Sequence, residues 1–414
     1  LFRSDGNLHI SAPKGAIKDR LRAELIRRKE ELINFYQAPG RSNKHYSDQV
    51  ETVSRDDMSV LPLSYSQEGV WFLEQLNPGT ASYHIPFGIE FVGELRSEIL
   101  LEAIRWLVNR HESLRTMFLE KDNLPHPVIL QDVEIPYEEI DLVQMGERER
   151  EYLWGQRLRD FLNGSFNLSS APLFRAILIK LEPSRSHLIL NFHHIISDGW
   201  SLGIMMQELG EAYQAFLSGL MPDVEPLRAQ FVDYAVWQKE QFGFSNIYQP
   251  QLGYWEKHLS GAPLLINLPT DRPRTPNANT TGGIINFRVN HEISAGIHQL
   301  AKRENVTPYM VLLASFYILM YRYSLQNDIV IGTPISNRPK EEFEKVVGFF
   351  ANTLALRSKI DPNQPFLSYL KDIRKITLEG FDNQAIPFEM VVDKLQPKRS
   401  PSWNPIYQVM FALQ

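Results

Sequence analysis

From Ser186 to Phe192 the chain alternates, with Leu188, Leu190 and Phe192 on one side, the pattern of a strand with one buried face. Further on, Leu202, Met205, Met206, Leu209, Tyr213 and Phe216 recur at helical spacing, and Gly219 stands where a left-handed C-terminal cap belongs. Between strand and helix runs Asn191-Phe192-His193-His194-Ile195-Ile196-Ser197-Asp198-Gly199-Trp200-Ser201. A histidine pair therefore ends a strand, and an Asp-Gly turn opens a helix. Similar patterning predicts an amphipathic helix over Ile99 to Val108, with Leu100, Ile104, Leu107 and Val108 inward, and a helix after a serine cap within Leu61 to Leu73. Thr307-Pro308 reads as cap and first turn of an apolar helix from Tyr309 to Tyr323, and Ile329 to Ile331 as a buried strand. Leu8-His9-Ile10 is a short strand after the Asp5-Gly6-Asn7 turn, and Ile17 to Tyr36 is one or two helices carrying Leu21, Leu25, Leu32 and Ile33. Strands and helices that alternate in this way imply a mixed α/β fold.

Composition narrows the chemistry. The chain has 414 residues, 43% hydrophobic and 22% charged, enough for two or three domains with large cores. A net charge of −6 gives no pointer to nucleic acid. Without cysteine there is no disulfide framework, thiolate metal site or cysteine nucleophile, so any thioester chemistry needs a thiol brought by a partner. The longest apolar run, Met310 to Tyr321, is too short for a bilayer, and no secretory signal opens the chain, so the expected compartment is the cytoplasm, away from membranes. The first residue is Leu1, so a natural start further upstream is expected.

Adjacent strand residues face opposite sides, so His193 and His194 cannot both enter one cavity and are not expected to chelate a metal together. One of them is a candidate base; the plain alternative is one core and one surface histidine. Gly199-Trp200-Ser201-Leu202-Gly203 also fits the Gly-x-Ser-x-Gly of a serine hydrolase elbow, with His258, His291 or His298 to complete a triad. That elbow needs its serine directly after the strand, whereas Ser201 comes after Asp198-Gly199. His111 and Glu112, at a helix end before a strand, read as structural hydrogen-bonding groups.

His193-His194-x-x-x-Asp198-Gly199 resembles the active-site motif of the condensation domains of nonribosomal peptide synthetases. Further stretches resemble that family's other core motifs in the same order. They are Leu61 to Leu73, Arg110-His111-Glu112-Ser113-Leu114-Arg115-Thr116-Met117-Phe118, Phe231 to Trp237, Gly332 to Arg338, Val347 to Thr353, Asn383 to Glu389 and Asn404 to Phe411. In the Val347 to Thr353 motif, Ala351 stands where valine is usual. Upstream, Asp5-Gly6-Asn7-Leu8 and Ala12-Pro13-Lys14-Gly15-Ala16 before an Arg/Glu-rich helix resemble the second half of the docking domains on tubulysin-type synthetase subunits.

The resemblance implies two chloramphenicol acetyltransferase-like α/β lobes in a V, preceded by a small α/β docking segment. The expected organisation is a partial docking domain over 1–38, a polar linker over 39–57, an N-lobe over 58–235 and a C-terminally incomplete C-lobe over 236–414. Between the lobes a tunnel would admit two phosphopantetheine arms, one from an upstream and one from a downstream peptidyl carrier protein. An aminoacyl amine would attack an acyl or peptidyl thioester there, with no cofactor of the domain's own and an adenylation domain as neighbour. His194 carries the chemistry in this family, as base or as positioner of the amine. His193 supports it, and Asp198 is structural, paired with Arg338 or alternatively Arg115. Gly199 leaves room for the thioester, and Trp200 and Ser201 either line the channel or pack and cap the helix. The docking segment implies a dimer that captures the acidic C-terminal tail of an upstream subunit through Arg20, Arg22, Arg27 and Arg28. An epimerisation domain would carry Ser-Trp after the Asp-Gly, and a heterocyclisation domain would lack both histidines. The stretch from Gln67 to Gly79 is most similar to domains that join an L-configured donor to an L-configured acceptor. A non-catalytic interaction module would be expected to have lost His194 or Gly199.

Overall fold

The computed structural model describes residues 2–4, 7–9, 50–55, 61–243, 248–274, 282–398, 400 and 402–413. The chain forms two compact units, Leu1–Gln49 and Val50–Gln414. In the first, β1 (Phe2–Ser4) pairs antiparallel with β2 (Asn7–His9), with Phe2 opposite His9. The short strand expected at Leu8 thus belongs to a hairpin. The helices expected over 17–36, with Arg20, Arg22, Arg27 and Arg28, lie outside the described residues.

The second unit begins with α1 (Tyr65–Leu76), closed by a capping box in which Ser64 accepts from the Gln67 N–H and Gln67 reaches back to the Ser64 N–H. β3 (His84–Val92) and α2 (Ser97–Arg110) follow, then β4 (Thr116–Lys121), β5 (Leu124–Ile129), β6 (Tyr137–Asp141) and α3 (Glu147–Asn163). β7 (Phe174–Glu182) and β8 (Arg185–His193) lead into α4 (Gly199–Leu217), which ends before Gly219 at φ +71°, the expected left-handed position. The four-stranded sheet runs β3-β8-β7-β6, antiparallel except for the β6/β7 pair. Leu188, Leu190 and Phe192 of β8 are buried against α2 and α4, where Leu100, Ile104, Leu107, Met205 and Leu209 complete one core. Hydrophobic periodicity accounts for this layer, with period two in the strands and period 3.6 in the helices.

The remaining elements are α5 (Phe231–Gly243), α6 (Gln249–Leu259), α7 (His291–Glu304), α8 (Pro308–Ser324), β9 (Asp328–Ile335), β10 (Asn352–Lys359), α9 (Phe366–Asp382) and α10 (Phe388–Leu395). Thr307 caps α8 by accepting from the Met310 N–H, with Pro308 at the first helical position, as expected. β9 and β10 pair antiparallel, and Trp255, Leu313, Tyr317, Ile331, Leu356 and Ile373 form a second core. A third, smaller cluster joins Phe231 and Tyr234 of α5 to Phe343, Val346 and Phe350 of the connection between β9 and β10. α5, the helix in which the expected lobe division after residue 235 falls, therefore packs directly on the second half.

At the junction the packing is tight. A Cβ added to Gly348 would lie at the edge of the Phe231 ring, far inside contact distance. Gly348→Ala is therefore expected to cost about 1–3 kcal/mol, the usual penalty of overpacking, as measured by urea denaturation. Phe231→Leu should recover part of that loss in the double variant. Additive losses would show that the two residues do not share the space.

Candidate active site

The strand β8 delivers His193 to the edge of its layer, and the chain then makes a single 3₁₀ turn over His194–Ile196. The His194 N–H donates to the Tyr83 carbonyl at 2.7 Å, and the Ile195 carbonyl accepts from Gln67 Nε2 at 3.0 Å. Pinned at both ends, the turn presents a half-buried His194 ring to Phe349, with centroids 4.5 Å apart. Burial holds the His194 pKa below its ordinary value, against the opposing pull of the Asp198 charge and the backbone at His194 and Ser197. The imidazole is thus neutral near pH 7 and able to accept a proton. His193 points elsewhere, as strand alternation requires. It is 1% exposed and ringed by Tyr83, His84 and Phe166, and burial lowers its pKa to about 3.

Asp198 caps α4, accepting from the Ser201 N–H at 2.8 Å. Its carboxylate is 1% exposed and has no unused face. Oδ1 also accepts from Ser201 Oγ at 2.7 Å and from Arg338 Nη2 at 3.2 Å. Oδ2 accepts from Arg338 Nη1 at 3.3 Å and from the Phe350 and Ala351 N–H groups at 3.1 Å each. Of the two arginines considered for this role, Arg338 holds the position. Arg115 is the correction: its guanidinium donates to the carbonyls of Val108 at 3.1 Å, Asn109 and Gln131 at 3.4 Å each, and Leu130. It clamps the end of α2 to the exit of β5, because a short strand start at Thr116 leaves it facing those free carbonyls.

Ser201 is a second correction. Rather than lining a channel it is fully buried, close enough to donate its one hydroxyl proton to Asp198 Oδ1 or to the Gly348 carbonyl at 2.9 Å. The oxygen accepts from Arg338 Nη2 at 3.0 Å and the Gly348 N–H at 3.1 Å. No histidine of the described residues is among its partners, and His258 is occupied elsewhere, its Nε2 accepting from the Arg357 N–H at 2.9 Å. The hydrolase elbow therefore fails on geometry. Trp200 is 52% exposed; its indole N–H donates to the Glu344 carbonyl at 3.1 Å and its ring lies 5.7 Å from the Arg338 guanidinium. Gly199 is different again, for it is exposed and a Cβ there would meet no atom of the described residues within 4 Å, so packing among them does not demand a glycine at that point.

His111 and Glu112 take the structural places expected of them. His111 is fully buried with Nε2 2.8 Å from Glu208 Oε2, and Glu112 pairs with Arg55 at 2.9 Å. Among the described residues no three His, Cys, Asp or Glu side chains could hold a metal ion. Residues that pattern reading passed over as site members are Gln67, Tyr83 and Phe349, since their roles depend on contacts across more than a hundred residues of chain.

Residues 58–414 match the condensation domain and residues 1–38 the TubC N-terminal docking domain. The chain belongs to the condensation-domain family. Condensation domains are the peptide-bond-forming acyltransferases of nonribosomal peptide synthetases. The chain is similar to a linear gramicidin synthase of Brevibacillus parabrevis, at 39% identity over 415 residues, covering 100% of this chain and 8% of that protein. It thus spans a small fraction of that curated relative. Among solved structures it resembles the X-domain in its complex with OxyB from teicoplanin biosynthesis, with TM-score 0.77, 25% identity and coverage of 87% and 78% of the two chains. The first condensation domain of the calcium-dependent antibiotic synthetase, in complex with a substrate analogue, shares the fold at TM-score 0.69 and 20% identity, over 86% of this chain and 80% of that one. The expected α/β, chloramphenicol acetyltransferase-like fold class is borne out. Among the described residues no helix is long and apolar enough to cross a membrane.

For this condensation domain the buried network predicts that Asp198→Ala loses about 3–5 kcal/mol, because Arg338 is left charged and unpaired. Chemical denaturation tests this, and a variant of unchanged stability that had lost only activity would place Asp198 in the chemistry instead. Ser201→Ala strips hydrogen bonds from three buried groups and should cost about 1–3 kcal/mol. Its remaining folded fraction should keep wild-type turnover.

Proposed function

We propose that this domain joins an L-configured acyl or peptidyl donor to an L-configured aminoacyl acceptor, with His194 as the group that assists transfer. The acceptor amine attacks the donor thioester carbonyl, the amine gives up a proton, the C–S bond breaks and the donor thiol is released. Both substrates would arrive on phosphopantetheine arms of upstream and downstream carrier proteins, alongside an adenylation domain. The cytoplasm is the compartment that supplies activated amino acids. The observation that carries this reading is a neutral, half-buried imidazole on a turn held at both ends and set against Phe349 of the second half. A positioned base of this kind contributes roughly 10²–10⁴-fold, and holding two tethered arms in attack geometry contributes at least as much.

An interaction module is the competing reading, favoured by the similarity to an X-domain seen in complex with OxyB. Such a module has no use for a neutral histidine held on a fixed turn, and its recruitment surface would work equally well without His194. The N-terminal match supports a role for Arg20, Arg22, Arg27 and Arg28 in capturing the acidic tail of an upstream synthetase chain. Attraction between exposed charges weakens as the screening length falls from about 10 Å at 0.1 M salt to about 3 Å at 1 M.

Peptide formation between two loaded carrier proteins, followed by mass spectrometry, tests the central claim. His194→Ala should lower the rate at least roughly 100-fold with little change in melting temperature. Retention of more than about a tenth of the rate would remove His194 from proton transfer. Since burial lowers its pKa, the His194 limb of the rate profile should lie on the acid side, below about 6.5, and the limb of the acceptor amine near pH 8. Reversal of the four arginines to glutamate in the full-length synthetase chain should slow transfer from the upstream partner and leave a small soluble donor thioester unaffected. Equal losses with both donors would assign the arginines to folding.

A further inference from the structure

Two of the groups that hold the histidine turn come from one face of α1. Gln67 reaches the Ile195 carbonyl directly, as described above. The Ile195 N–H donates to His193 Nδ1 at 3.1 Å, so that nitrogen carries a lone pair and the ring proton of the neutral imidazole sits on Nε2. Nε2 in turn faces Glu74 Oε1 at 3.4 Å, its hydrogen-bond partner among the described residues. Gln67 and Glu74 are seven residues apart, two helical turns, and only 5% and 7% exposed, so both project from the same side of the helix toward the turn. A carboxylate placed this deep is costly unless it has donors. Among the described residues Glu74 has the Gly79 N–H and His193 Nε2–H.

We propose that Glu74 is a positioning residue for peptide transfer: by accepting from His193 Nε2–H it fixes that ring's tautomer, directs the Nδ1 lone pair at the Ile195 N–H, and so sets the turn that presents His194. The opposite tautomer would set the Nδ1–H of His193 against the Ile195 N–H, two donors in contact, and the turn would have to open. His193 is the intermediate in this chain of contacts and His194 the group it serves, so the inference rests on the reading of His194 as the group that acts on substrate.

Glu74→Gln keeps an acceptor oxygen of the same length, whereas Glu74→Leu removes it. Peptide formation from loaded carriers should proceed within about threefold of wild type in the glutamine variant, and roughly 10–100-fold more slowly in the leucine variant, with KM for both carriers unchanged. Nitrogen-15 spectra should show the Nε2–H tautomer of His193 in wild type and Glu74→Gln, and its loss in Glu74→Leu together with faster hydrogen exchange of the Ile195 amide. An Nδ1–H tautomer in the wild-type protein overturns the proposal, and that measurement needs no variant. So does an equal loss of activity in the two variants, or a leucine variant with unchanged tautomer and rate. His194→Ala separates the two levels: if it stayed active, the reading of His194 would fall while the tautomer result stood on its own.

Discussion

A single buried carboxylate, Asp198, ties the two halves of the condensation domain together. It receives hydrogen bonds from its own helix terminus at Ser201, from Arg338 after β9, and from the backbone of Phe350 and Ala351 ahead of β10. With side-chain exposures of 1% and 3%, Asp198 and Arg338 pay a desolvation penalty that their attraction roughly cancels, so the pair adds little net stability. Its value is geometric. Any relative displacement of the halves strands a buried charge, which makes one arrangement far better than its neighbours. The guanidinium also lies 4.3 Å from the buried Phe350 ring and 5.7 Å from the partly exposed Trp200 ring.

The histidine turn depends on that arrangement at one remove. Asp198 follows His194 by one 3₁₀ turn and a serine, so fixing the start of α4 also fixes where the turn must end. Its beginning is set by β8, whose register places His193 opposite His84 on β3. Within these limits the ring of His194 meets Phe349 from the second half of the domain. An imidazole between an aromatic ring and a largely buried backbone loses hydration and stays neutral, the state a proton acceptor requires. Position and protonation state thus share one cause, the closure of the junction.

Much of the fold was legible because it rests on local rules. The alternation in β8, the stripe on α2, the Ser64 and Thr307 caps and the glycine after α4 all report geometry that a few neighbouring residues decide. The active-site motif was legible for a similar reason, being a contiguous strand, turn and helix start. Arg115 and Ser201 show the limit. Arg115 sits in a motif and carries the right charge, yet it is consumed by four carbonyls at the junction of α2 and β5. Ser201 looks like an exposed helix-start hydroxyl until the Gly348 backbone closes over it.

The sequence by itself determined the α/β class, the family, the position of the histidine pair and the cap of α4, because each is encoded within a dozen residues by periodicity or hydrogen-bonding chemistry. Only the tertiary structure decided which arginine neutralises Asp198, 140 residues away, and that Ser201 is sealed in rather than available. It alone also set Glu74 behind His193, across 119 residues. Burial and partner choice are properties of surfaces that meet only when the chain has folded. A side chain's type says what it can donate or accept, and its surroundings then decide whether anything remains to offer a substrate.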